Sequence, residues 1–151
     1  MANYGLYAKI NESSLSSSAS ELLSKINTSK TDLSSFQRQL TDDIWKANAK
    51  QTLLTAFSEI EGEVYSGLEK QLNNVKQIAS QISLYKANEK AANTNKKLLT
   101  LATAAEQKLK NSFSTIDTTK IQNSIRALKT AINDCERQME AAENAIKSLC
   151  G

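Results

Sequence analysis

The last thirty residues carry the strongest constraint on the fold. Between Ile121 and Leu149, apolar or small side chains recur as Ile121, Ile125, Leu128, Ile132, Cys135, Met139, Ala142, Ile146 and Leu149. The steps alternate between four and three. An α-helix lines up such a series on one face, whereas a strand needs alternation at every second residue. Thr119-x-x-Gln122 reads as a capping box opening this segment. A helix is therefore predicted over 119–149, about 45 Å long. Burying each large apolar side chain is worth about 1.5–3 kcal/mol, so a lone helix would leave that stripe wet. The seam of Ile121, Ile125, Leu128, Ile132, Met139 and Ile146 needs a partner, inside the chain or outside it.

The same period runs through the first half. Leu15, Ala19, Leu22, Ile26, Ser29, Leu33, Phe36 and Leu40 keep steps of four and three, which predicts helix 1 over 12–41. Asn11 and Ser13 are candidate N-caps, and Ser18-x-x-Glu21 is a later capping box. Residues 1–11, with Tyr4, Leu6, Tyr7 and Ile10, read as an arm that either docks on the bundle or stays loose. After a break at 42–48, helix 2 is predicted over 49–91. It carries Leu53, Phe57, Ile60, Val64, Leu68, Leu72, Val75, Ile78 or Ala79, Ile82 and Tyr85. Several successive steps of four widen this stripe. Gly67 lies beside it, where a neighbouring helix has room to approach.

The most polar dozen is Lys86 to Lys97. Asn93-Thr94-Asn95 is the preferred turn there, because Asn tolerates left-handed backbone and caps helices. With no Pro or Gly in the stretch, a continuous helix is the alternative. Helix 3 is then predicted over 95–114 on Leu98, Leu101 or Ala102, Ala105, Leu109 and Phe113. The expected fold is all-α: an elongated antiparallel helical hairpin or bundle in one domain, with coiled-coil-like seams and three to four helices. The absence of Pro, four glycines in 151 residues and 5% aromatic content all favour it over a β-sandwich or barrel.

Composition removes several functions. There is no His, so the commonest general base, the usual triads and the commonest zinc ligand are missing. No two glycines are close enough for a phosphate loop. Carboxylate pairs such as Glu59 with Glu63, or Glu136 with Glu140, sit one turn apart, as on any solvated helix face; a di-metal bundle would need Glu-x-x-His. Neither catalysis nor a cofactor is expected. Residues 91–151 hold nine basic side chains against six acidic ones, but the signs are interleaved and Phe113 is the only aromatic past Tyr85. Nucleic-acid binding would need a basic stripe with stacking rings and is not expected. The most apolar window, residues 98–105, is far short of the roughly 20 residues of a bilayer span, so no stable membrane insertion is expected. Cys135 and Cys150 would lie about 22 Å apart on one helix, beyond the roughly 7 Å that a disulfide spans. Cys135 reads as a small core residue and Cys150 as a thiol on a helix end, with an intermolecular bridge through Cys150 as the alternative.

The break at Asp42-Asp43-Ile44-Trp45-Lys46-Ala47-Asn48 holds the single Trp between two patterned segments, as at the corner of a helical hairpin. About 40 residues further on, Tyr85-Lys86-Ala87-Asn88-Glu89 fits a Tyr-x-x-x-Asp/Glu pattern, as does Tyr65-Ser66-Gly67-Leu68-Glu69. Over residues 12–90 the chain resembles the WXG100 family of type VII secretion substrates and its longer relatives, with Ala47 in place of the motif glycine and some 60 further residues after Glu89. The resemblance implies that Trp45 and Ala47 form the hairpin corner and that Tyr85 and Glu89 form an export element. It implies antiparallel hairpins pairing into four-helix bundles, with a helical protein partner that is either a second copy or a larger secreted effector, and recognition by a secretion ATPase. The N-terminus lacks the apolar stretch of a signal peptide, so the expectation is synthesis in the cytoplasm and secretion without a cleaved signal. The function expected is that of a non-catalytic type VII secretion-associated protein, exported itself or targeting an effector. The alternatives are a self-assembling structural coiled coil and a cytosolic secretion chaperone or adaptor.

Overall fold

The computed structural model describes residues 2–39 and 47–151, apart from the side chains at positions 47, 48 and 50. The expected corner at Trp45 lies outside the described residues. The fold is all-α. Helix α1 spans Glu12–Gln39, α2 spans Ala47–Glu59, α3 spans Ser66–Ser112 and α4 spans Thr119–Cys150. Between α2 and α3, Ile60–Tyr65 form a π-helical segment. Its flanking residues Glu59 and Ser66 keep right-handed helical dihedrals, so the helical backbone is unbroken from Ala47 to Ser112. No strand occurs among the described residues. The chain divides into two compact units.

Residues 11–80 make the first unit. Asn11 caps α1, its side-chain oxygen accepting the backbone N–H of Ser14 at 3.0 Å; Ser18 and Glu21 lie inside the helix, so no capping box forms there. Lys30 pairs with Glu69, and the rings of Phe36 and Phe57 meet edge to face at 5.6 Å between centroids. Later residues of α1 thus face earlier ones of the next helix, which makes an antiparallel pair. The covered stripe of α1 includes Leu15, Ala19, Ile26 and Leu33 as expected, but Leu23, Lys30 and Gln37 complete it. Leu22, Ser29 and Phe36 sit on the flank instead. Across from them Glu61, Tyr65 and Glu69 are half-buried, whereas Ile60, Val64 and Leu68 are exposed. The π-helical segment carries this shift. A π-turn holds one more residue than an α-turn, so the run of four-residue steps stays aligned while the stripe moves over by one position. Gly67 has open space around it rather than an approaching helix.

The second unit joins residues 1–10 to 81–151. Here α3 and α4 run antiparallel: Gln122 donates to Glu106 at 3.0 Å, and Lys96 pairs with Glu136 at 3.1 Å. The turn preferred at Asn93-Thr94-Asn95 does not form, and α3 continues through it with Ala92 fully buried. Heptad phase explains why. Tyr85, Ala92, Leu99 and Glu106 stand seven apart, as do Asn88, Asn95, Ala102 and Leu109, and all eight are buried or half-buried. A polar outer face therefore overlies an uninterrupted inner stripe. A turn there would reset the phase: of the seam expected on Leu98, Leu101 or Ala102, Ala105, Leu109 and Phe113, Ala102 and Leu109 are half-buried, whereas Leu98, Leu101, Ala105 and Phe113 are exposed. α4 starts at Thr119 as expected, but its cap lies one residue before the expected box. Thr118 is the N-cap, Asp117 accepts from both the backbone N–H and the hydroxyl of Thr119, and Gln122 reaches Thr118 and Glu106 rather than closing a box.

Candidate functional site

The α4 seam faces its own chain. Ile132, Met139 and Ile146 are buried, and Ile121, Ile125 and Leu128 are half-buried. Met139 and Ala142 join Tyr85 of α3 and Ala2 in one core cluster, with Tyr7 packed against it. Tyr85 is thus the largest fully buried side chain of the second unit, at 0% exposure.

Around Tyr85 the structure gathers the N-terminal arm. Residues 4–9 run in successive turns closed by Leu6 N–H to Asn3 O, Ala8 N–H to Gly5 O and Ile10 N–H to Tyr7 O. The Tyr85 hydroxyl donates to the Asn3 carbonyl, and the Gly5 N–H donates to the Glu89 carboxylate. The ammonium of Lys86 donates to the Ile10 carbonyl. Gly5 takes φ +78°, a left-handed conformation open to glycine at little cost. Tyr7 meets Tyr85 edge to face at 4.9 Å.

Tyr4 occupies a polar triangle. Its hydroxyl donates to Glu136 at 2.6 Å, the Lys96 ammonium lies 3.9 Å from its ring centroid, and Lys96 pairs with Glu136. Burial first, then the bond to Glu136, pushes the Tyr4 phenol above its ordinary range. The Tyr4 hydroxyl first, then Lys96, holds the Glu136 carboxyl low. Tyr85 is likewise pushed up, chiefly by burial. Beside them Glu143 is buried and paired with Lys147 at 2.6 Å.

The two residues expected as an export element, Tyr85 and Glu89, are therefore one turn apart on α3 and both engaged by the arm. Ala47 opens α2, and its side chain, like Trp45, lies outside the described residues. Sequence reasoning missed Gly5, Lys96 and Glu136, and left open whether Tyr4 and Tyr7 dock at all. One signal was available: two of the four tyrosines fall within the first seven residues, too many rings for a solvated tail.

Arm docking sets the cost of ordering against a small number of contacts. Ordering the backbone of residues 2–10 costs about 1–2 kcal/mol per residue. Each hydrogen bond returns about 0.5–1.5 kcal/mol net, and only Ala2 of the arm is fully buried while Tyr4, Leu6 and Ile10 remain exposed.

The first unit presents a different surface. Leu22, Phe36, Ile60, Val64 and Leu68 are 37–50% exposed. Leu22, Ile26 and Ser29 of α1 line a groove with Leu68 and Leu72 of α3, flanked by Lys25 and Gln71. The flanking series Leu22, Ser29 and Phe36 repeats every seven residues and Ile60, Val64 and Leu68 every four, so the apolar strip follows the helix axes. Such a strip has room to bury a further helix.

Among the described residues, no three His, Cys, Asp or Glu side chains converge as a metal site. No described helix is long and apolar enough to cross a membrane. Cys135 is half-buried, Cys150 is exposed, and both are free thiols. No protein-family model, curated protein or solved structure matches the chain.

Proposed function

We propose that this chain is a non-catalytic, type VII secretion-associated helical protein that binds a helical partner along the open side of its first hairpin. The observation that carries the binding half is the apolar strip from Leu22 and Phe36 to Ile60, Val64 and Leu68. Exposed apolar side chains scattered singly need no explanation, but a contiguous strip marks an interaction surface. A helix laid along it would be read by anchors three and four residues apart. The secretion half rests on the resemblance around Trp45, Ala47, Tyr85 and Glu89. The partner is then a second copy or an effector's helical domain, delivered to a secretion ATPase.

The test is co-purification with the products of neighbouring reading frames, together with assay of the culture supernatant. Leu22→Asp with Leu68→Asp should abolish partner capture while helicity persists, because both side chains are exposed before binding. Trp45→Ala and Glu89→Gln should reduce appearance in the supernatant. Capture that survives the double Asp variant removes the binding surface from the proposal, and export that survives both Trp45→Ala and Glu89→Gln removes the secretion role. A chain that forms a stable homo-oligomer at low concentration and ignores its neighbours favours the self-assembling coiled coil.

A further inference from the structure

We infer that α3 and α4 form a peptide-recognition groove, and that the chain's own N-terminal arm is its resident but displaceable ligand. The inference concerns docking alone and does not depend on the secretion proposal.

Recognition here has the two parts that peptide grooves share, main-chain hydrogen bonds and side-chain pockets. Three side chains of α3 reach main-chain atoms of the arm: Tyr85 to the Asn3 carbonyl, Glu89 to the Gly5 N–H and Lys86 to the Ile10 carbonyl. Two places read side chains. Tyr4 lies between Lys96 and Glu136, and Tyr7 sets its ring against Tyr85. Ala2 fits the small apolar cluster with Met139 and Ala142. The class of ligand follows: a short peptide with a Tyr-Gly turn, a small residue two positions before the Tyr and an aromatic residue three after it.

Displaceability follows from how little the arm buries. Leu6 and Ile10 are exposed, and the remaining hold is mostly polar, so the arm belongs among the least protected segments of the unit. Tethering gives it a high effective concentration, on the order of millimolar, so an outside peptide binds well only when the arm is loosened. Gly5 is the lever. A Cβ added there meets no atom within 4 Å, yet φ is +78°. A side chain at this position strains the docked backbone without touching the groove.

The experiment titrates a fluorescent peptide of residues 1–10 with the full chain and reads anisotropy. Gly5→Ala should open the arm, and hence tighten peptide binding, by about tenfold over the parent. Gly5→Asn should fall between them, because Asn tolerates left-handed backbone. Lys96→Met added to Gly5→Ala should weaken peptide binding severalfold. Peptide that fails to bind the Gly5→Ala chain at millimolar concentration, binds it no better than the parent, or ignores Lys96→Met overturns the inference. Loss of helical circular dichroism in Gly5→Ala also overturns it, since the arm would then be part of the fold and not an occupant.

Discussion

At the scale of single residues, the Tyr4, Lys96 and Glu136 triangle makes arm docking depend on pH. Glu136 is held below its ordinary value of 4.5 by the Tyr4 hydroxyl and Lys96. A depressed carboxyl contributes stability above its unfolded pKa and loses it as pH falls through the folded one. Tyr4 is raised above 10.0 and Lys96 above 10.5, the latter chiefly through the Tyr4 hydroxyl. Raised groups contribute below their unfolded values and lose that contribution as pH rises through the folded ones. Docking should therefore hold between about pH 5 and pH 10 and weaken on either side. Proton NMR contacts between the Tyr7 and Tyr85 rings measure it directly; contacts unchanged at pH 3.5 would remove Glu136 from the account. Gly67 supports a second prediction. It is helical with open space beside it, so Gly67→Ala should raise stability by about 0.5–1 kcal/mol in urea unfolding.

At the scale of elements, the π-helical segment and the unbroken α3 make opposite predictions for small changes of chain. The extra residue of a π-turn can be removed with the flanking faces kept in place. Deleting Gly62 should leave cooperative unfolding intact. Deleting exposed Lys90, within regular α3, turns every later inward position by about 100° and should abolish cooperative unfolding of the second unit. Circular dichroism melts of the two deletions decide the point. Thr94→Pro checks helix continuity separately. In an exposed turn it would be tolerated, whereas inside α3 it should cost about 3 kcal/mol. Much at this scale was legible: α4 begins at Thr119 and follows the predicted seam throughout. Asn93-Thr94-Asn95 reads as a turn because its side chains are polar enough for a loop, while the inward positions Asn88, Asn95 and Ala102 are too polar or too small to advertise a stripe.

At the scale of the whole molecule, burial is uneven. The second unit fully covers Ile82, Tyr85, Ala92, Ile132, Met139, Ala142 and Ile146. Among the described residues, the first covers only Ala19 and Ala79 to that degree. Amides of α1 should therefore exchange faster than those of α4, and partner binding should slow α1 exchange selectively. Equal protection in both units without a partner would contradict the open face proposed for the first hairpin. Met139→Ala should cost about 2–5 kcal/mol and act on the second unit alone. Periodicity and residue chemistry are local properties of the chain, so the helical class, the α4 seam and the absence of histidine are legible from it directly. Tertiary packing settles which of two neighbouring stripes is covered on α1 and after the π-turn, since 3.6-residue geometry leaves adjacent stripes nearly equivalent until a second helix packs. It alone decided that Tyr85 and Glu89 hold the arm, because those contacts join residues more than 80 positions apart.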